Sequence, residues 1–196
     1  MNSDASPTFP KLAAPGAGLP MPELVIARLI FGWFRKTRSS GAVNALFEEE
    51  RDAILAMARD CGADAGSRRI LIKRIPGMED SSRDWSVHMT LEHLRIVNAA
   101  VSGVIAGLAA GQPPATPAST AAVKPAPGVG HEVLETFRTG CAEWLETVAA
   151  VADLRTVERF AHPWFGPLDA AGWQAMAAFH MRLHRKQVEA IVRQLR

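Results

Sequence analysis

Apolar positions along the chain recur at steps of three and four, the period of amphipathic helices. Four long segments carry the pattern. The first is "GAVNALFEEERDAILAMARDCG", residues 41–62, where Ala45, Leu46, Ile54, Leu55 and Met57 face inward, Glu48 to Asp52 stay in water, and Gly62 stops the helix. The second begins near "SSRDWSVHMTLEHLRIVNAAVSGVIAGL". Ser82 and Ser86 are both candidate caps there, because a serine oxygen accepts from the free N–H groups of a first turn. The third covers "HEVLETFRTGCAEWLETVAAVAD", and the fourth "AAGWQAMAAFHMRLHRKQVEAIVRQLR", with Asp169 as its N-cap.

The segments between them break the period. "RRILIKRIPG" places Ile70, Leu71, Ile72 and Ile75 close together with no second strand evident, and reads as an extended connector under the helices. "GQPPATPASTAAVKPAPGVG", residues 111–130, is too rich in Pro, Ala and Gly for helix or core strand and reads as a long surface crossing. "HPWFGPL" interrupts the pattern again before the last helix. At the start, residues 1–21 read as a flexible leader with no secretory signal. "PELVIARLIFGWF" follows, thirteen residues interrupted by Arg28. It is short of the roughly 20 apolar residues of a spanning helix, and it lacks the clean polar face of a helix lying on a membrane. It reads as a helix packed on the domain or at a dimer contact. The expected fold is therefore all-α: a four-helix bundle over 41–196, an extra N-terminal apolar helix over 22–38, and long connectors.

Composition adds bounds. The 196 residues suit one domain, and 48% are hydrophobic, enough for a sizeable core. A net charge of +2 gives no push toward nucleic acid. Two cysteines, Cys61 and Cys141, lie far apart with no CxxC, and read as reduced thiols of a cytoplasmic protein. Neither stands at motif spacing from a histidine, so a Cys–His nucleophile has no support.

The candidate chemistry lies in six histidines. In the last helix Trp173, Met176, Ala177, His180, His184, Val188 and Ile191 recur at steps of three and four, which puts both histidines on the apolar stripe; Arg182, Arg185 and Lys186 fall on a solvated face. Residues four apart on a helix have Cβ atoms about 5–6 Å apart, close enough for two imidazoles to converge on one ion at about 2.0–2.1 Å. In the second helix Met89, His93, Ile96, Val97 and Ala100 form a comparable stripe. His88 sits roughly 140° around that helix from His93, at about 100° per residue, and is a poor co-ligand. A lone HxxxH pair is a weak signal, and a lone inward histidine is usually a core residue bonded to a carbonyl. Three inward histidines on two helices each need a partner, and one shared ion supplies it to all three.

"WSVHMTLEHL", residues 85–94, resembles the signature that opens the second helix of the DinB/YfiT-like superfamily, and "HPWFGPLDAAGWQAMAAFHMRLHRKQVEAI", residues 162–191, is similar to its last helix and the loop before it. The resemblance implies a four-helix bundle, a homodimer, and a divalent metal held by His93, His180 and His184. It has no counterpart for residues 1–40 or for the long linker.

Three neutral imidazoles leave at least one position of an ion open, a pattern of catalytic rather than structural sites. Zinc, nickel, iron and manganese all accept imidazole, so the metal stays open. A bound thiol would lose its proton and a bound water would have its pKa lowered toward 7. The resemblance implies activation of a low-molecular-weight thiol as one activity; metal-assisted hydrolysis and a non-catalytic metal-binding bundle are the alternatives. The expected partner is a small-molecule substrate. His162 is a loop histidine that the resemblance places near the site mouth, and Trp85 is pocket wall or core. Gln187, three beyond His184, can hold an imidazole N–H or a ligand. Glu92 points away from His93, and Glu143 and Glu146 read as surface charges.

Overall fold

The computed structural model describes residues 11–196. It contains five helices: α1 Met21–Thr37, α2 Ser40–Ser67, α3 Val87–Ala109, α4 Val133–Ala149 and α5 Ala170–Leu195. Two short antiparallel pairs join them, β1 Ile70–Leu71 with β2 Asp84–Trp85, and β3 Phe160–His162 with β4 Gly166–Leu168. Helices α2 to α5 form the four-helix bundle, with α5 packed on α2 and α3, and α3 on α4. Ten of the residues expected as a flexible leader, 1–10, lie outside the described residues. Residues 11–20 run as coil and turn. There the Ala13 N–H donates to the Asp80 carboxylate at 2.9 Å and the Gly16 N–H to Glu79 at 3.3 Å.

The helix starts follow from their caps. The Ser86 hydroxyl accepts from the Met89 N–H at 3.0 Å, and the Asp169 carboxylate accepts from the Gly172 N–H at 2.8 Å, each satisfying a donor that the first turn leaves free. Gly62 does stop a helix: α2 is two helical stretches joined across a kink at this residue. It takes φ +70°, breaks the helix locally, and the chain resumes to Ser67.

Three expectations need correction. The connector at 70–75 is paired: Ile70 stands opposite Trp85 and Leu71 opposite Asp84. The partner is two residues long, too short for alternation to mark it. "HPWFGPL" belongs to a hairpin in which His162 pairs with Gly166, a glycine at φ +72° that makes the turn possible. Within α2, Ala45 is exposed, whereas Glu50 is only 3% exposed. Glu50 is buried because the Arg185 guanidinium bonds it, with Arg182 at 3.8 Å, so Arg185 does not belong to a purely solvated face.

The core is built from the predicted apolar stripes, with Phe47 stacked on Trp144 at 3.9 Å between ring centroids. Helix α3 is long and apolar enough to cross a bilayer by length and composition, and half of its most apolar window is buried inside the bundle. The added helix α1 buries Phe31 and Phe34. Phe31 stacks on Phe165 at 4.2 Å. Met21, Val25, Ile26, Leu29, Ile30 and Trp33 of α1 remain exposed, Ile26 and Ile30 at the edge that faces α5.

Candidate metal centre

Helices α3 and α5 pack side by side, and that contact brings His93 against His180 and His184. The His180 Nε2 lies 3.2 Å from the His93 Nε2 and 3.0 Å from the His184 Nε2. An ion with ligands at about 2.0–2.1 Å spaces neighbouring donor atoms roughly 2.8–3.0 Å apart in octahedral and roughly 3.3–3.4 Å apart in tetrahedral arrangement. His180 therefore stands at ligand spacing from both partners, and the three ligand atoms all lie within 4.8 Å of one another.

Their outer nitrogens decide which atoms face inward. The His93 Nδ1 is 2.7 Å from the Val123 carbonyl oxygen. A carbonyl only accepts, so this nitrogen carries the proton. The His184 Nδ1 is 2.6 Å from the Gln187 Oε1. The orientation of that amide is set from its other end, where the Gln187 Nε2 donates to the Ser82 carbonyl at 2.7 Å. His184 therefore also carries its proton on Nδ1. Both rings turn an Nε2 lone pair toward His180. The His180 Nδ1 is buried without a partner, so no outside acceptor fixes that ring. With its proton on Nδ1, three lone pairs converge, a donor set that fits a divalent cation.

Burial keeps these rings neutral. It pushes His93 down to about 4, against the opposing pull of the Val123 carbonyl. His180 and His184 are held well below the ordinary 6.5, first by burial and then by the neighbouring rings. At neutral pH the imidazoles do not charge, and their lone pairs stay available.

Trp85 walls the centre, with its ring 5.0 Å from that of His93 and stacked parallel to His184 at 6.2 Å. A cavity of about 270 Å³ opens on the triad, lined by Val97, Val101, Val104, Met176, Trp164 and Trp173 among others. His162 lines it too. Its Nδ1 accepts from the Trp164 N–H at 3.1 Å, which leaves the proton on Nε2, and burial lowers its pKa to about 4. Gln187 is fully buried in the role just described. Glu92 pairs with Arg95 at 2.7 Å and plays no part in the centre, and Glu143 and Glu146 are exposed.

Sequence reasoning missed the contribution of the Pro/Ala-rich linker. Residues 111–130 do more than cross the surface: they supply the Val123 carbonyl to His93 and place Lys124 over the Trp85 ring at 5.3 Å. Lys124 also donates to the Glu79 carboxylate at 2.9 Å, and Thr120 donates to it at 2.8 Å. Burial alone would raise the pKa of Glu79, but these donors outweigh it and hold the carboxyl below its usual range. The only advance signal was the lone Lys124 within an otherwise uncharged stretch.

No curated protein matches the chain. A family model described as DinB superfamily matches residues 46–188. The crystal structure of TT2238, a four-helix bundle protein, aligns at a TM-score of 0.57 and 26% identity, covering 78% of this chain and 99% of that one. The triad histidines, Trp85, His162 and Gln187 fall inside the matched residues; α1 falls outside them.

Proposed function

The chain belongs to the DinB superfamily, and from that premise we propose that it is a metal-dependent enzyme acting on a low-molecular-weight thiol. His93, His180 and His184 hold one divalent ion. The observation that carries this reading is the pair of outer hydrogen bonds, from His93 to Val123 and from His184 to Gln187, which turn Nε2 lone pairs to a common point. An ion bound there supplies Lewis acidity that lowers the proton affinity of a coordinated thiol or water.

The residues around it favour a thiol over water. The one carboxylate lining the triad cavity is Glu79, and it is committed to Lys124 and Thr120. A free carboxylate base is therefore missing among the described residues of that wall, and a thiol, with an ordinary pKa near 8–9, needs one less than water does. Apolar walls from Val97, Val101 and Met176 exclude bulk water and fit an apolar acceptor. The free cysteines Cys61 and Cys141 fit a reducing, cytoplasmic setting. A second copy of the chain covering the exposed apolar face of α1 is the assembly this reading expects.

The test is a thiol-consumption assay on the zinc-loaded chain, using glutathione, cysteine and coenzyme A with an electrophilic aromatic acceptor. Turnover should rise in proportion to metal occupancy. Full occupancy with no thiol consumed, or ester hydrolysis in its place, overturns the reading.

A further inference from the structure

A second cavity, of about 390 Å³, lies between α1 and α5. Its α1 wall is Ile26, Ala27 and Ile30, and Phe179 and Leu183 face them from α5. Gly77, His162, Trp164, Met176, His180 and Leu183 line both cavities. The two chambers therefore adjoin along a shared wall that includes His180. Because α1 lies outside the matched residues 46–188, the α1 wall is an addition to the bundle that carries the triad.

The charges of this chamber do not balance. Glu23 faces it, but its carboxylate is held by the Arg74 guanidinium and the Gly77 N–H. The other charged lining residues are Arg182 and Lys186, both exposed and one turn apart on α5. Lys186 has no ion-pair partner among the described residues. Arg182 has only Glu50, at 3.8 Å, and that carboxylate is already bonded by Arg185. An apolar pocket with surplus positive charge at its rim is complementary to an amphiphilic anion. A neutral apolar molecule would leave the cations unanswered, and a cationic one would be repelled.

We propose that the α1–α5 chamber is a second organic subsite beside the histidine centre, taking a molecule with an apolar body against α1 and a carboxylate on Arg182 and Lys186. The chamber needs no ion to bind such a molecule. Its role as a substrate subsite rests on the metal-centre reading, since it is His180 that the two cavities share.

Octanoate is the probe, with octanol and octylammonium as controls, measured by calorimetry on the full chain with zinc content determined on the same samples. Octanoate should bind at least tenfold more tightly than either control. R182Q combined with K186Q should weaken octanoate about tenfold and leave octanol unchanged; both residues are exposed, and the buried Glu50 keeps its bond to Arg185. Two fillers of the chamber, Ala27→Phe and, at an exposed position, Ile30→Trp, should weaken both octanoate and octanol while zinc uptake stays at the wild-type level. Ala118→Trp, in the first cavity only, should leave octanoate binding intact. The proposal is overturned if octanoate binds no better than octanol, if the charge variants do not weaken it, or if Ala118→Trp blocks it and the α1 fillers do not. Zinc uptake without octanoate binding removes the chamber and spares the metal centre. Octanoate binding that is lost in the α1 fillers, in a chain that takes up no zinc, supports the chamber and removes the metal centre.

Discussion

His88 and His93 stand five residues apart on α3, both are buried, and both carry the proton on Nδ1. For His93 the acceptor is the Val123 carbonyl. For His88 it is the Ser67 hydroxyl oxygen at 3.0 Å, whose own hydrogen is already given to the Ala63 carbonyl. The inner nitrogens then meet different surroundings. The His93 Nε2 faces His180 at 3.2 Å. The His88 Nε2 has no polar partner and presses on Gly66, where an added Cβ would sit 2.5 Å from it. Burial and tautomer are thus shared, and neither makes a ligand. What distinguishes the centre is that a second helix brings further lone pairs to the same point.

The largest effect that separates the two regions is metal uptake. Wild type should take up one equivalent of zinc, and His180→Ala with His184→Ala should lose it by more than the roughly 100-fold that outer-sphere changes reach. His88→Gln should keep full uptake. Metal analysis after dialysis reads all three proteins, and equal zinc in the double variant would dissolve the distinction between the regions.

The next test acts on an orienting group rather than a ligand. Gln187→Leu removes the acceptor that keeps the His184 proton on Nδ1 and also leaves the Ser82 carbonyl without its donor. Zinc affinity should fall about 10- to 100-fold, with about 1–3 kcal/mol of stability lost to the unsatisfied carbonyl. Competition against a chromophoric chelator and urea unfolding measure the two separately. A loss of stability with unchanged zinc affinity would mean that Gln187 does no more for His184 than Ser67 does for His88.

These side chains were unequally visible in the sequence. The HxxxH spacing and the α3 stripe place His93, His180 and His184 on inward faces, because helical period and burial are local properties. Ser86 and Asp169 announce their caps for the same reason. The acceptor for His93 was hidden because a backbone carbonyl has no sequence signature, and Val123 reaches it from a linker that looked like surface. The pairing of Ile70–Leu71 with Asp84–Trp85 was hidden because two residues cannot display a period. Glu50 looked solvated because its partner, Arg185, lies far along the chain on α5.

Gly66→Ala probes the other region. The added methyl would stand 2.5 Å from the His88 Nε2 and 2.9 Å from its Cε1, so the ring must move within a packed site. A loss of about 1–3 kcal/mol is expected from overpacking. Zinc affinity should not change, since His88 is no ligand. Calorimetric unfolding of the zinc-free protein and a parallel zinc titration check both halves, and a drop in zinc affinity would show that the two regions are coupled through α3.

The smallest effect is a slope. Burial lowers the pKa of His88 below the ordinary 6.5, with His131 pushing the same way and Glu132 opposing. A ring whose folded pKa is depressed binds fewer protons in the native state than in the unfolded chain. Its contribution to stability is therefore complete above the unfolded value and is lost as pH falls from there through the folded value. The triad rings and His162 shift in the same direction, so only a difference between proteins isolates His88. Urea unfolding of zinc-free wild type and His88→Gln from pH 7.5 to pH 4.5 should give a shallower decline for the variant. Parallel curves would mean that His88 is solvated enough to titrate as it does in the unfolded chain. The contrast between a sealed packing histidine and one that faces the triad would then lose one of its two sides.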